Sequence, residues 1–163
     1  MAVSTNKRDI GWRKDKPSTI YYVEALDKGN PEIIVPYRDA LYEWEAPFVQ
    51  KSILLTKTIN RYAGIIWGND FNAIIYDRWW NSRNSKTYIF SPSKPNIPAR
   101  VIVDRNYQDR YSDPGDFVTR KGKYGENILA LDGNNAFLLG DGFSEKGQFP
   151  FLDQINLKSN KKM

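Results

Sequence analysis

The 163-residue sequence contains no histidine and no cysteine. Without histidine there is no Ser-His-Asp triad, no Cys-His dyad and no imidazole base near neutral pH. Without cysteine there is no disulfide, no thiolate nucleophile and no Cys-based zinc site. Zinc and redox chemistry are therefore not expected, and no metal or other cofactor is. No run of about 18 apolar residues occurs, so no transmembrane helix and no membrane partner are expected. The opening residues, MAVSTNKRDI, lack the apolar core of an export signal.

What is present is a globular composition rich in aromatics. Hydrophobic residues make up 40% and charged residues 26%, with 5 Trp, 10 Tyr and 8 Phe. Such a chain can bury enough apolar surface to fold. The net charge is +5, but much of it lies near the ends. Lys7, Arg8, Arg13, Lys14 and Lys16 are at one end, and Lys158, Lys161 and Lys162 at the other. No basic stripe interleaved with stacking aromatics runs through the middle, so nucleic acid is not an expected partner. Residues 1–9 read as a flexible tail and residues 159–163 as a basic C-terminal tail.

Nine prolines and eleven glycines break the chain often. Between them lie short β-branched and aromatic runs at 19–24, 32–35, 52–59, 62–67, 73–76, 87–90, 100–103, 127–131 and 136–139. Turn residues bound each of them, which is the strand signature. Residues 49–62 also place apolar side chains near helical spacing, but their Thr and Ile content favours a strand. A repeat is visible as well. Trp12-Arg13-Lys14-Asp15 precedes Ser18-Thr19-Ile20-Tyr21, and Trp67-Gly68-Asn69-Asp70 precedes Ala73-Ile74-Ile75-Tyr76. A weaker third copy begins at Ala130. The pattern reads as strand, tight turn, strand, recurring at the length of a propeller blade with insertions. Chance likeness between hairpins is the alternative. The expected fold is all-β: a partial β-propeller of about three antiparallel four-stranded blades over residues 10–158, divided near 10–48, 49–120 and 121–158.

Several stretches resemble the amino-terminal β-propeller of glutamyl endopeptidases, in the prolyl oligopeptidase family of serine peptidases. These are Trp12 through Asp27, then Gly29-Asn30-Pro31 and Val35-Pro36-Tyr37-Arg38-Asp39. Arg61 through Gly68 and Asp104 through Gly115 match too, as does Leu139 through Gly147 running into Pro150-Phe151-Leu152-Asp153. The resemblance implies a parent whose propeller caps an α/β-hydrolase domain carrying the Ser, Asp and His triad. It implies that this segment gates and positions peptide substrates for a hydrolase domain that lies outside it. It also implies an exported (periplasmic or extracellular) or organellar parent; the residues themselves leave the compartment unknown.

Candidate chemistry within the chain is sparse, and no catalytic residue is expected. Gly142-Phe143-Ser144-Glu145-Lys146-Gly147 approximates a nucleophile elbow, but its second glycine comes one residue late. Ser91-Pro92-Ser93-Lys94 fits Ser-x-x-Lys without the Lys-Thr-Gly strand that chemistry requires. Glu43 and Glu45 flank Trp44 and share a strand face, which reads as a solvated surface rather than a glycosidase pair. Asp15, Asp70, Asp109, Asp113, Asp132 and Asp141 sit in turns without a calcium-loop pattern. The substrate-binding candidates are Arg78, Trp79, Trp80 and Arg83. Arginine can grip a carboxylate and tryptophan offers a stacking wall. The competing expectation is that both tryptophans pack in or between blades and both arginines pair with acids. A second function also stays open: a stand-alone aromatic-rich β domain binding carbohydrate or peptide on Trp44, Trp79 and Trp80. Unpaired blade faces imply self-association of the isolated chain.

Overall fold

Alternating polar and apolar residues between frequent breakers leave the backbone one economical way to satisfy its hydrogen bonds, the short antiparallel ladder. In the computed structural model, which describes residues 1–162, every regular element is a strand. The first four, β1 (Arg8–Trp12), β2 (Thr19–Ala25), β3 (Asp39–Glu45) and β4 (Ile53–Thr58), form an antiparallel sheet in the order 1-2-3-4. The next four repeat that meander: β5 (Arg61–Trp67), β6 (Ala73–Trp79), β7 (Asn84–Phe90) and β8 (Arg100–Asn106).

The third sheet is more broken. It centres on β13 (Asn135–Gly140), which pairs along its length with β16 (Phe151–Asn156). Its other edge is shared by β9 (Asp116–Phe117) and β12 (Leu131–Asp132). Between these, β10 (Thr119–Lys121) and β11 (Asn127–Leu129) make a hairpin, and β14 (Phe143–Ser144) and β15 (Gly147–Gln148) make a smaller one.

The middle sheet is covered on both faces. Trp67, Ala73, Ile75, Tyr88 and Phe90 pack with Val23, Leu41 and Leu55 of the first sheet on one side. Ile74 and Ile89 pack with Phe117, Leu129, Leu138 and Ile155 on the other. Period-two alternation along β6 and β7 produces this directly, since neighbouring residues point to opposite faces. The three sheets are thus stacked, first on second and second on third.

Several boundaries differ from the sequence expectation. The first sheet extends to Thr58, so β4 belongs to it and not to a second unit starting at 49. The third begins at β9, before residue 121. Residues 49–62 contain β4 and no helix. Residues 32–35 are loop, because Pro31 and Pro36 bracket the run. Both expected tails are tied down. The Val3 N–H donates to the Gly29 carbonyl at 3.0 Å, and β1 starts at Arg8. Lys162 bridges to Ile155 in an antiparallel pair and holds Asp153 at 3.2 Å.

Candidate functional site

The two-residue link between β4 and β5 fixes one end of the stack, shared by the β2–β3 loop, the β6–β7 turn and residues 107–115. Beneath this end lies a buried polar frame. Arg61, 1% exposed, donates to Asp27 at 2.7 Å and to Asp39 at 3.0 Å. Arg38 donates to the same Asp27 oxygen at 2.7 Å, and Arg8 pairs with Asp39. Burial works against the Asp27 charge, but hydrogen bonds from Arg61 and Arg38 outweigh it and hold the carboxyl below its ordinary range. Gly29, at a φ of +71°, donates its N–H to Asp27 at 3.0 Å. A side chain there would strike the Val3 carbonyl.

Asp77 is a second, different buried acid. It is 0% exposed, and among the described residues no Lys or Arg lies within 4.0 Å of its carboxylate. It accepts from the Asn60 N–H at 2.8 Å, the Asn60 amide at 3.0 Å, the Lys86 N–H at 3.0 Å and the Tyr88 hydroxyl. Burial pushes its pKa up, and these donors pull it partly back. Burial and the Asp77 hydrogen bond push the Tyr88 phenol up as well.

On this frame stands the β6–β7 turn with the sequence-predicted candidates. Strand alternation sends Trp79 one way and Arg78 the other. Trp79 is half-buried beneath the Arg38 guanidinium, 4.0 Å from its ring centroid. Arg78 is exposed and lies over the Tyr107 ring at 4.6 Å. Arg83 lies over Trp80 at 4.0 Å and donates to the Tyr107 hydroxyl at 3.3 Å. Its backbone is fixed at a φ of +57°, with its N–H on the Trp80 carbonyl at 3.3 Å and its carbonyl accepting from the Tyr107 N–H at 2.9 Å. The structure therefore gathers Arg78, Trp80 and Arg83 around Tyr107 and sends Trp79 elsewhere. Among the described residues neither arginine has a carboxylate within 4.0 Å. The expectation that they pair with acids is corrected, and so is burial of Trp80, which is 56% exposed. Tyr107, the common anchor, escaped the sequence reading, because nothing local ties it to a turn 24 residues earlier.

The remaining candidates separate. The Ser144 hydroxyl donates to the Gly147 carbonyl at 3.0 Å across the tip of the β14–β15 hairpin. Ser91 donates to the Asp70 carbonyl at 3.2 Å, and the Lys94 N–H closes a turn on Ser91. Glu43 is not on a solvated face: it is 7% exposed and accepts from Arg13 at 2.5 Å. The Arg13 guanidinium is pulled down by burial and raised more by Asp15 and Glu43. Glu45 faces Lys16 at 3.4 Å. Asp109 and Asp113 accept from backbone N–H groups of their own turns, at 3.0 Å each. Among the described residues no three acidic side chains are grouped to hold a metal ion. Trp44 donates to the Gln50 carbonyl at 2.6 Å. It closes β3 at the end of the stack opposite Trp79 and Trp80, so the three form no single platform.

Fold and site together define an all-β chain of stacked four-stranded antiparallel sheets, with a cationic–aromatic cluster at one end. No family model and no solved structure matches it. Two curated proteins do, each over 99% of this chain. The "probable glutamyl endopeptidase, chloroplastic" of Oryza sativa subsp. japonica is 34% identical. The protein of the same name in Arabidopsis thaliana is 33% identical. The chain is thus a relative of glutamyl endopeptidases and spans 18% of the length of each.

Proposed function

We propose that this chain is the non-catalytic β-propeller portion of a serine endopeptidase of the prolyl oligopeptidase family. In this reading it limits access to, and positions peptides for, an α/β-hydrolase unit whose residues are not among these 163. The carrying observation is the covering of both faces of the middle sheet by its neighbours. Sheets stacked face on face in chain order are what successive propeller blades require. The match to two proteins named glutamyl endopeptidase over 99% of the chain supports the same reading. So does the lack of any histidine to activate a serine.

The test has two arms. The purified chain should not hydrolyse a fluorogenic Glu-containing peptide above a buffer blank. Turnover that disappears in Ser144→Ala would show that the chain is itself catalytic. In the intact endopeptidase carrying this segment, Trp67→Ala loosens the contact between the first two sheets. It should widen the size range of polypeptides cleaved while leaving a tripeptide's turnover unchanged. An unaltered size range would remove the gating role.

A further inference from the structure

The seam between the first two sheets holds a cavity of about 460 Å³. It lies between β4, the last strand of the first sheet, and the β7–β8 loop with the start of β8. The buried Leu55 and Tyr88 form its floor, and the exposed Tyr37, Ile59, Ile97 and Val101 rim its mouth. Its size and mainly apolar lining are those of a small-molecule site. Leu54, Leu55, Thr56 and Lys57 all reach it. Neighbours on a strand point to opposite faces, so a cavity that touches four in a row runs along the strand's open edge. Three rises of about 3.3 Å give it a length of roughly 10 Å there, which suits an extended chain better than a ring.

The polar part of the lining is small and one-sided. Thr56, Lys57 and Asn96 contribute to it, and no acidic residue does. Thr56 is 7% exposed, yet among the described residues its hydroxyl has no hydrogen-bond partner. The Thr58 hydroxyl, two residues on, donates to the Asn60 carbonyl at 2.8 Å. The Tyr88 hydroxyl donates to Asp77 and accepts from the Ile59 N–H at 3.2 Å, so Tyr88 offers the cavity its ring alone. A buried donor without an acceptor is costly, and a ligand oxygen that accepts from Thr56 removes that penalty. Lys57 brings one cation to the mouth, its Nζ 5.9 Å from the Tyr37 ring centroid.

We infer that this cavity binds a medium-chain alkyl monocarboxylate, its head at the open edge of β4 and its chain against Leu54, Leu55 and Tyr88. One carboxylate oxygen accepts from the Thr56 hydroxyl, and the other faces the Lys57 ammonium. A single cation matches a single negative charge; a phosphate, carrying nearly two, would be left half-neutralised beside apolar walls. The ligand class follows from the cavity and does not depend on the function proposed above.

The test is calorimetric titration of the purified chain with octanoate, below the concentration at which it forms micelles. Octanoate should bind roughly fifteenfold more tightly than hexanoate, about fourfold for each of two buried methylenes. The neutral 1-octanol, and acetyl-Glu-amide with a carboxylate but no alkyl chain, should each bind at least about tenfold more weakly. Lys57→Met keeps the stem and removes the charge, so it should weaken octanoate about tenfold and leave octanol unchanged. Thr56→Val should weaken octanoate without lowering the melting midpoint of the free chain, because the hydroxyl it removes has no partner there. Ile97→Asp changes an exposed loop residue, sets a like charge at the mouth and should also weaken octanoate. Absence of octanoate binding, or equal binding of octanoate and octanol, would overturn the assignment. So would binding unchanged in Lys57→Met or Ile97→Asp, which would put the alkyl chain on the exposed outer sheet faces instead. A lower melting midpoint in Thr56→Val would show the hydroxyl to be engaged within the chain and remove it from the site.

Discussion

Trp12 and Trp67 close the first strands of successive sheets, each with an aspartate three residues on, yet their surroundings are opposite. Trp67 is 1% exposed, with the rings of Tyr21 and Phe90 at 5.4 and 6.3 Å and the Arg13 guanidinium at 4.5 Å. Trp12 is 61% exposed and touches Phe48 at 6.4 Å. The first sheet covers Trp67; among the described residues nothing comparable covers Trp12. Trp67→Ala should therefore cost about 3–5 kcal/mol. Trp12→Ala should cost under about 1 kcal/mol, in the range of surface substitutions. Urea midpoints of the two variants decide it, and equal losses would contradict the stacking. The repeat marked both residues as equivalent in chain position. It carried no information on which face a neighbour would cover, and the same gap explains Glu43, read as solvated and found buried against Arg13.

At the scale of elements, the β4–β5 link is where the two sheets are pinned. Asn60 in that link reaches Asp77 on β6 through both its backbone and its side chain, and Asp77 reaches β7 through Lys86 and Tyr88. All four lone-pair positions of the carboxylate face donors, so an amide in its place sets N–H against N–H. Asp77→Asn should destabilise the fold by about 1–3 kcal/mol. The pH dependence carries a second signature. With the Asp77 pKa raised in the folded state, its charge opposes folding above that value. Stability from this group rises as pH falls toward the ordinary carboxylate pKa of about 4. Asp27, held low by Arg61 and Arg38, behaves in the opposite way. Its stabilisation is present above about pH 4 and is lost as pH falls through the lowered value. As pH falls from neutral toward about 4, Asp77→Asn should therefore lose more stability than the parent chain. Urea midpoints across that range check it, and parallel curves would mean that Asp77 titrates normally. Neither acid was legible as a frame member in the sequence. Their side-chain partners lie 11–34 positions from Asp27 and 9–17 from Asp77, beyond the reach of local pattern.

For the whole molecule, the two outer faces are what remains unpaired. On the first sheet, Trp12, Ile20 and Trp44 lie in one cross-strand line facing away from the core shared with the second sheet. On the third, Leu139 pairs with Leu152, at 59% and 66% exposed. At about 25 cal/mol per Å², leaving even 400 Å² of such surface in water forgoes roughly 10 kcal/mol, comparable to the stability of a domain. The isolated chain should self-associate, most simply as a two-fold dimer burying face against face. Size exclusion with light scattering at micromolar concentration measures it. A single peak at the monomer mass of 18.9 kDa, unchanged on dilution, would rule the dimer out.

The sequence by itself determined the strand content, most of the central strands from 19–24 to 136–139, the chemistry excluded by its missing histidine and cysteine, and the kinship carried by its motifs. These are local properties: side-chain period, turn residues and residue inventory act over a few positions. Only the tertiary structure decided which sheet β4 joined, which of two equivalent tryptophans was buried, and that Arg78 and Arg83 meet on Tyr107 without an acid between them. Those outcomes depend on which surfaces come together across tens of residues, and strand periodicity repeats identically whether or not a neighbour covers the face it presents.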